Sequence, residues 1–309
     1  MISHKNNKKD YETFIKYIFE FIFYICFITY CLIINIKVMK KNLILLTILS
    51  LLCFIACKHK TNDMATNNEQ QSAEIKNQVD STYQTDRYTT EKGDLLVTLV
   101  GHASLIFQFD GKIIHVDPYS AVADYSKLPK ADLILLTHEH SDHLDTTAIS
   151  QIKKNDTRFI MSKSCHEILN AGDVMQNGDS TIYNGITIKA VPAYNMVNKK
   201  DNGEYWHPKE RGNGYILAFG NKNVYVAGDT ENIPEMDNLK DKIEVAFLPK
   251  NLPYTMNDEM FIDAINKVNP RYVYPYHLSE YDKEKINEAI HKNNKDTEVL
   301  IRPMSHINK

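Results

Sequence analysis

Residues 137–145 of the chain read Thr-His-Glu-His-Ser-Asp-His-Leu-Asp and follow directly on an apolar run, 132–136, that is predicted to form a buried strand. The end of a strand delivers side chains to a fixed place. The loop after it can fold four ligand-type side chains around one point, namely those of His138, His140, Asp142 and His143. Imidazole nitrogens and carboxylate oxygens are suitable ligands for zinc and comparable divalent ions. The segment therefore predicts a metal site.

Two further ligand-type residues stand in the same relation to predicted strands. Asp229 follows the strand 224–227, and His277 follows the strand 272–275. Because a catalytic metal keeps part of its coordination open for water, its protein ligands are expected to come from several loops. Surface histidines and helix-capping aspartates are the alternative explanation. That alternative accounts poorly for three strand ends that each finish in a ligand.

Around these segments the chain alternates short β-type runs with helices. Three strands are predicted within 95–116, a hairpin within 181–191 and a second hairpin within 215–227, with a buried strand at 245–248 and a last one at 299–301. Helices are predicted at 146–153, 166–169, 257–268 and 283–291. Strand meanders followed by alternating strands and helices predict two packed sheets with helices outside.

Composition limits the class of partner. The chain has 309 residues, of which 43% are apolar and 24% charged, as expected for one or two folded domains. Its formal charge of −3 gives no general attraction to phosphate backbones, so a nucleic-acid partner is not expected. Four of the five cysteines lie in the apolar N-terminal stretch, which leaves Cys165 without a disulfide partner in the globular part.

The N-terminal stretch contains two apolar runs. The first, 14–38, is long enough for a transmembrane helix. The second begins at Met39 with two lysines and ends at Cys57 after a small residue, which is the layout of a signal peptide and resembles a bacterial lipoprotein signal. We expect Met39 to be the true start, residues 1–38 to be upstream over-translation, and Cys57 to be lipidated. A lipoprotein of this kind is expected in the cell envelope. A genuine N-terminal membrane helix followed by a second apolar segment is the alternative, and both interpretations tie the protein to a membrane.

The remaining chain divides into a tether and a globular part. Residues 58–93 are rich in Asn, Gln, Thr, Ser and charged residues and have no apolar period, which predicts a disordered tether. The predicted organisation is therefore an apolar N-terminal segment at 1–57, with a lipoprotein signal from Met39, followed by a tether at 58–93 and one domain at 94–309.

The motif His138-x-His140-x-Asp142-His143 resembles that of the metallo-β-lactamase superfamily, and the segments around Asp229 and His277 add to the match. The Gly-His-Ala segment at 101–103 and the Val-Asp-Pro segment at 116–118 also resemble segments of that superfamily. The nearest likeness is to the metal-dependent hydrolase branch, with ascorbate-6-phosphate lactonase and N-acyl-phosphatidylethanolamine phospholipase D.

The resemblance covers about residues 95–302. It implies an α/β fold, the four-layer αββα sandwich of metallo-β-lactamase type, with two divalent ions. Zinc is the first choice of metal and manganese or iron the alternatives.

Ligand roles follow from the same resemblance. It implies one metal on His138 and His140, a second on Asp142, His143 and His277, and Asp229 as the bridge between them. Many relatives supply a third histidine to the first metal from a strand end where this chain has Asn195. The candidate replacement is His207, because it is the only histidine between His166 and His277.

Five further residues are candidates for substrate contact or for supporting a ligand: His102, Asp117, Tyr194, Asn195 and Tyr254. Asp117 is expected to orient a ligating histidine, as outer carboxylates do, or else to cap a turn. His102 either lines the site or is an ordinary buried histidine. The two tyrosines either contact substrate or pack, and Asn195 is expected to bond a bound water or substrate.

The predicted activity is hydrolysis. Two ions sharing Asp229 would hold a bridging hydroxide, and Asp142 would orient it for attack on an ester, lactone or phosphodiester. Asp142 and Asp229 are therefore the predicted catalytic residues, and a small-molecule or lipid-derived substrate is expected. The alternative is a membrane-anchored, metal-bearing module that binds a ligand without turnover.

Overall fold

The computed structural model describes residues 25, 26, 28, 29, 83–239, 242–278, 283–293 and 296–302. The chain separates into two compact units, 1–69 and 70–309. Most of the first apolar run, the signal-like segment with Cys57, and the tether up to residue 82 lie outside the described residues. Within the described ranges, no helix combines the length and the apolar character needed to cross a bilayer.

The first sheet contains seven strands, which lie side by side in their chain order. They are β1 (Thr85–Thr90), β2 (Gly93–Gly101), β3 (Ser104–Phe109), β4 (Lys112–Val116), β5 (Leu133–Leu136), β6 (Arg158–Met161) and β7 (Asp173–Val174). Strands β1 to β4 form an antiparallel meander, and β4 to β7 are parallel. Because β4 and β5 are parallel neighbours, the loops after them begin next to each other.

The second sheet also contains seven strands in sequential order. They are β8 (Ser180–Tyr183), β9 (Ile186–Ala193), β10 (Gly212–Phe219), β11 (Lys222–Val226), β12 (Val245–Pro249), β13 (Tyr272–Tyr276) and β14 (Glu298–Val299). The first four are antiparallel and β11 to β14 are parallel. The loops that follow β11, β12 and β13 therefore also leave the sheet at one edge.

Four α-helices connect these strands. They are α1 (Thr146–Ile152), α2 (Lys163–Leu169), α3 (Asp258–Val268) and α4 (Lys283–Asn293). The first three begin at side-chain N-caps, since Asp145, Ser162 and Asn257 each accept a hydrogen bond from a backbone N–H of the first turn. Asp145 is also the last residue of the histidine-rich segment, so the cap of α1 fixes where that segment ends.

Alternating side chains divide the interior into three apolar layers. On β5, Leu133 and Leu135 join the core between the two sheets, while Ile134 packs with residues of α1 on the outer face. On β12, Phe247 faces the same inter-sheet core and Ala246 packs with residues of α3 and α4. Since each strand has this period of two, the two sheets face each other and helices cover both outer faces. The four-layer αββα sandwich predicted for the chain is confirmed.

The predicted hairpins and helices are present, but the predicted tether is wrong over its last part. Residues Thr85–Thr90 form β1, which pairs with β2 along six positions. The cause is tertiary: Asp86 pairs with Arg302 at 2.8 Å and accepts a hydrogen bond from Tyr274 at 2.7 Å. Partners 188 and 216 residues away along the chain order a polar segment that composition alone marks as disordered. Strands β6 and β7 were not predicted, because each is too short to show a period.

Candidate metal centre

Seven side chains predicted to be metal ligands lie together where the parallel strands end: His138, His140, Asp142, His143, His207, Asp229 and His277. The loop after β5 supplies four of them, the loops after β11 and β13 supply one each, and the loop between β9 and β10 supplies His207. Their nitrogen and oxygen atoms fall into overlapping groups.

The first group consists of three imidazoles. Nε2 of His138 lies 3.1 Å from Nδ1 of His140, which lies 3.2 Å from Nε2 of His207. A tetrahedral zinc ion with bonds of 2.0–2.1 Å to two histidines holds their nitrogens about 3.3 Å apart. The three nitrogens are therefore spaced as ligands of one small divalent ion would be.

The second group combines carboxylates with imidazoles. Oδ2 of Asp142 lies 3.4 Å from Nε2 of His277 and 3.8 Å from Nε2 of His143. Asp229 lies between the two groups. Its Oδ1 is 3.4 Å from Nε2 of His143, and its Oδ2 is 3.3 Å from Nε2 of His207 and 3.4 Å from Nε2 of His277. One carboxylate thus faces ligand atoms of both groups.

Unpartnered polar atoms test whether a cation fits here. Nε2 of His143, Nε2 of His277 and Oδ1 of Asp229 are buried and make no hydrogen bond. A buried polar atom without a partner costs free energy, and native structures rarely keep several in one place. All three atoms point into the cluster and are of the type that binds divalent ions. The donor set therefore fits a metal centre.

The electrostatics of the cluster also favour a cation. Burial lowers the pKa of His138 and His140, so both are neutral near pH 7 with a free lone pair. Burial alone would lower the pKa of His143 as well, but the carboxylates of Asp229, Asp142 and Asp117 raise it well above its ordinary value. Positive charge is therefore stabilised at this point.

Asp117 and Thr137 hold two of the histidines from outside. Oδ2 of Asp117 accepts hydrogen bonds from Nδ1 of His143 at 2.8 Å and from Oγ1 of Thr137 at 2.6 Å, and Oδ1 accepts one from the Thr137 backbone N–H at 2.8 Å. Oγ1 of Thr137 in turn accepts from Nδ1 of His138 at 3.0 Å. Both rings therefore present Nε2 to the cluster. This is the contact that the predicted orienting role of Asp117 requires.

His102 lies at the site and contacts the second group. Its Nε2 is 2.8 Å from Oδ2 of Asp142, and its ring centroid is 3.7 Å from that of His277. Burial lowers the pKa of His102 despite the hydrogen bond to Asp142. His102 is then a neutral donor that fixes the carboxylate, which agrees with the site-lining interpretation rather than that of an unrelated buried histidine.

Asn195 lies beside His207, in the position of a residue that supports a ligand, and its side-chain amide is occupied by protein partners. Oδ1 accepts from Nδ1 of His207 at 2.6 Å and from its backbone N–H at 3.1 Å. Nδ2 donates to Glu231 at 3.0 Å and to the carbonyl of Tyr254 at 2.9 Å. The amide has two donors and two acceptor positions, and the protein uses all four.

The two tyrosines differ. The hydroxyl of Tyr194 donates to Glu235 at 2.9 Å and its ring packs under Lys209, so the structure favours packing over substrate contact. Tyr254 is 39% exposed, and its ring lies edge-on against Trp206, the neighbour of His207. Substrate contact by Tyr254 stays a prediction.

Three supporting residues were not singled out from the sequence: Thr137, Glu231 and Asn251. The side-chain amide of Asn251, on the loop after β12, lies 3.1 Å from Nδ1 of His277. Asn251 follows a predicted strand end, as the ligands do, and that position was the available signal. Glu231 stands two residues after Asp229 and looks in sequence like any polar loop residue.

Comparisons with known proteins agree with this geometry. A family model for the β-lactamase superfamily domain matches residues 96–277, more than half of the chain. The crystal structure of a candidate metal-dependent hydrolase from Parabacteroides distasonis aligns with a TM-score of 0.67 at 42% identity, covering 72% of this chain and 99% of that one.

Two curated relatives are similar over the same domain. The UPF0173 metal-dependent hydrolase of Flavobacterium johnsoniae is 32% identical over 213 residues, which is 63% of this chain and 91% of the relative. That of Nanoarchaeum equitans is 30% identical over 190 residues, which is 60% of this chain and 84% of the relative.

Proposed function

The chain belongs to the β-lactamase superfamily and is a metal-dependent hydrolase of metallo-β-lactamase fold, and from this premise we propose that it hydrolyses an ester, lactone or phosphodiester with two divalent ions. The observation that carries the proposal is the position of Asp229, whose carboxylate lies 3.3 Å from Nε2 of His207 in the first group and 3.4 Å from Nε2 of His143 and of His277 in the second. A module that binds without turnover is set aside, because the relatives are named metal-dependent hydrolases and all seven predicted ligands lie together.

Zinc is the proposed metal. Three imidazoles in one group, and two imidazoles with carboxylates in the other, are donor sets that zinc commonly occupies. Manganese and iron are the alternatives, since both accept mixed imidazole and carboxylate ligands. When bound, two such ions supply a hydroxide at neutral pH by lowering the pKa of coordinated water toward about 7.

The protein's own part is to hold the reacting groups. Burial would raise the pKa of Asp142, but His143, His102 and His277 hold it well below its ordinary range, so the carboxylate stays ionised. Its side chain is 29% exposed, whereas that of Asp229 is buried. Asp142 is therefore the carboxylate that can accept a hydrogen bond from an attacking water and orient it. No serine or cysteine nucleophile is needed.

A panel of model substrates tests the proposal. Protein loaded with zinc, manganese or iron would be assayed on p-nitrophenyl acetate and butyrate, on a δ-lactone and on bis(p-nitrophenyl) phosphate. We expect turnover in one class, its loss on chelation and its return with metal. Asp142→Asn should remove most activity, while the exposed Asp110→Asn should not. Absence of turnover in all three classes by protein carrying two metals would overturn the substrate assignment.

The location of the enzyme is a separate proposal. The Met39–Cys57 pattern supports a lipid-anchored protein of the cell envelope, and that position supports a small-molecule or lipid-derived substrate rather than nucleic acid. Membrane fractionation and mass spectrometry of the N-terminus after bacterial expression test this, with Cys57→Ser as the control. A chain that keeps residues 39–56 with an unmodified Cys57 would contradict it.

A further inference from the structure

Glu231 is a fully buried carboxylate surrounded by four hydrogen-bond donors from one loop. Its Oε2 accepts from the backbone N–H groups of Met196 at 2.7 Å and Val197 at 2.8 Å. Its Oε1 accepts from the backbone N–H of Asn198 at 2.7 Å and from Nδ2 of Asn195 at 3.0 Å. A buried carboxylate is costly unless its hydrogen bonds are complete, and here both oxygens have two partners.

These contacts fix the start of the loop that carries His207. Three consecutive backbone N–H groups point at Glu231, so residues 196–198 wrap around the carboxylate. Asn195, just before them, meets the end of the same loop, because its backbone N–H donates to the carbonyl of His207 at 2.8 Å. Glu231 therefore holds the start of the loop at the end of β9, and the contact of Asn195 with His207 joins that start to the part of the loop that carries His207.

Asn195 connects the carboxylate to the imidazole. Its Nδ2 donates to Glu231, while its Oδ1 accepts from Nδ1 of His207 at 2.6 Å. This places the proton of His207 on Nδ1 and leaves the lone pair of Nε2 facing Asp229 at 3.3 Å. Hydrogen bonds in a chain polarise one another, so the charge of Glu231 strengthens the acceptor that His207 meets.

We propose that Glu231 is the positioning residue for His207 and acts through Asn195 to fix the tautomer and orientation in which Nε2 binds the first metal. The inference rests on the proposed metal centre and adds to it a carboxylate that touches no metal. Asp117 does the same for His143 by direct contact. In the Glu231 arrangement an amide stands between the carboxylate and the imidazole.

Zinc binding by variants tests this chain of contacts. Wild type, Glu231→Gln, Asn195→Ala and the double variant would be stripped of metal and titrated with zinc against a competing chelator, with zinc per chain measured by elemental analysis. We expect each single variant to weaken one zinc site roughly 10–100-fold, as loss of an outer partner does, and to leave the other unchanged. The double variant should bind zinc no more weakly than the weaker-binding single variant, because both changes interrupt the same series of hydrogen bonds from Glu231 through Asn195 to His207.

Glu235→Gln is the matched control, because Glu235 is a nearby carboxylate paired with Lys209 and Tyr194. It should keep wild-type zinc affinity. Cobalt absorption spectra should change in Glu231→Gln and Asn195→Ala but not in the control, because only those two reorient a ligand.

Wild-type zinc affinity in both single variants would overturn the inference, and additive losses in the double variant would show that the two residues act separately. Thermal unfolding of the metal-free proteins checks the fold. If Glu231→Gln does not fold, Asn195→Ala alone decides. Failure of the wild type to bind two zinc ions would instead overturn the proposed centre and this inference with it.

Discussion

Oδ2 of Asp117 accepts a hydrogen bond from Nδ1 of His143 at 2.8 Å, and both side chains are fully buried. The same carboxylate accepts the hydroxyl of Thr137, which supports His138. One buried aspartate after β4 therefore orients an imidazole in each ligand group. Substitution of Asp117 is therefore expected to affect both metal sites, although its carboxylate contacts only one of the predicted ligands directly.

Asp117→Asn is expected to weaken binding of both metals, by roughly 10–100-fold for each. The amide presents an N–H₂ group to partners that are themselves donors, so at least one hydrogen bond is lost and one ring can turn. Zinc titration against a chelator measures the effect. The exposed turn residue Asp110 provides the control, since Asp110→Asn should bind zinc as wild type does. Loss confined to one site would show that the contact through Thr137 is unimportant.

His207→Ala is expected to leave one metal per chain instead of two. It removes one of three nitrogens in the first group, while the second group keeps Asp142, His143 and His277. Elemental analysis after gel filtration measures the ratio. His291 is exposed on α4, and His291→Ala is the control for removal of any histidine. Unchanged metal content in His207→Ala would end the assignment of this residue to the first metal.

The clustering of the predicted ligands could be foreseen from the sequence, because a strand end fixes where the next few side chains go. His138, His140, Asp142 and His143 follow one buried strand, so local order was enough to place them. His207 could be identified only as the remaining imidazole. Its position depends on how a long loop closes around Glu231, and no periodicity records that closure. The choice between substrate contact and a supporting role for Asn195 could not be made from the sequence for the same reason, since the contacts of its amide come from three separate loops.

Gly228→Ala is expected to displace Asp229 and weaken metal binding. Gly228 has a φ of 67°, and a Cβ there would lie 2.8 Å from the carbonyl oxygen of Asn213 and 3.3 Å from Cβ of Thr137. Gly203→Ala is the matched control, because its φ of 86° carries similar backbone strain while no atom lies within 4 Å of the added methyl group. Both variants should lose on the order of 1–2 kcal/mol of stability from the backbone.

Only Gly228→Ala should lose more than that and also lose zinc, because only its methyl group meets the loops that carry ligands. Thermal unfolding and zinc content would be measured side by side for the two variants. Equal behaviour of the two proteins would mean that the loop before Asp229 can shift without disturbing the centre.

His115 is a buried histidine of β4 that lies outside the metal centre. Burial lowers the pKa of His115 from its ordinary value of 6.5 to about 4, although Nε2 donates to the carbonyl of Pro129 at 2.9 Å. Below pH 6.5 the unfolded chain takes up a proton at this residue and the folded protein does not. The free energy of unfolding therefore falls as the pH drops through this window, until the folded protein also binds the proton near pH 4. Between pH 7 and pH 5 the loss of unfolding free energy should be ~2 kcal/mol.

His115→Gln keeps a donor for the carbonyl of Pro129 but has no titrating group. Over the same pH range the unfolding free energy of this variant should therefore fall by ~2 kcal/mol less than that of the wild type. Denaturant unfolding of both proteins at the two pH values measures the difference, and the metal centre cancels because it titrates alike in both. His291→Gln, which changes an exposed histidine, should behave as wild type. Parallel pH profiles for wild type and His115→Gln would show that His115 is protonated as readily in the folded protein as in the unfolded chain.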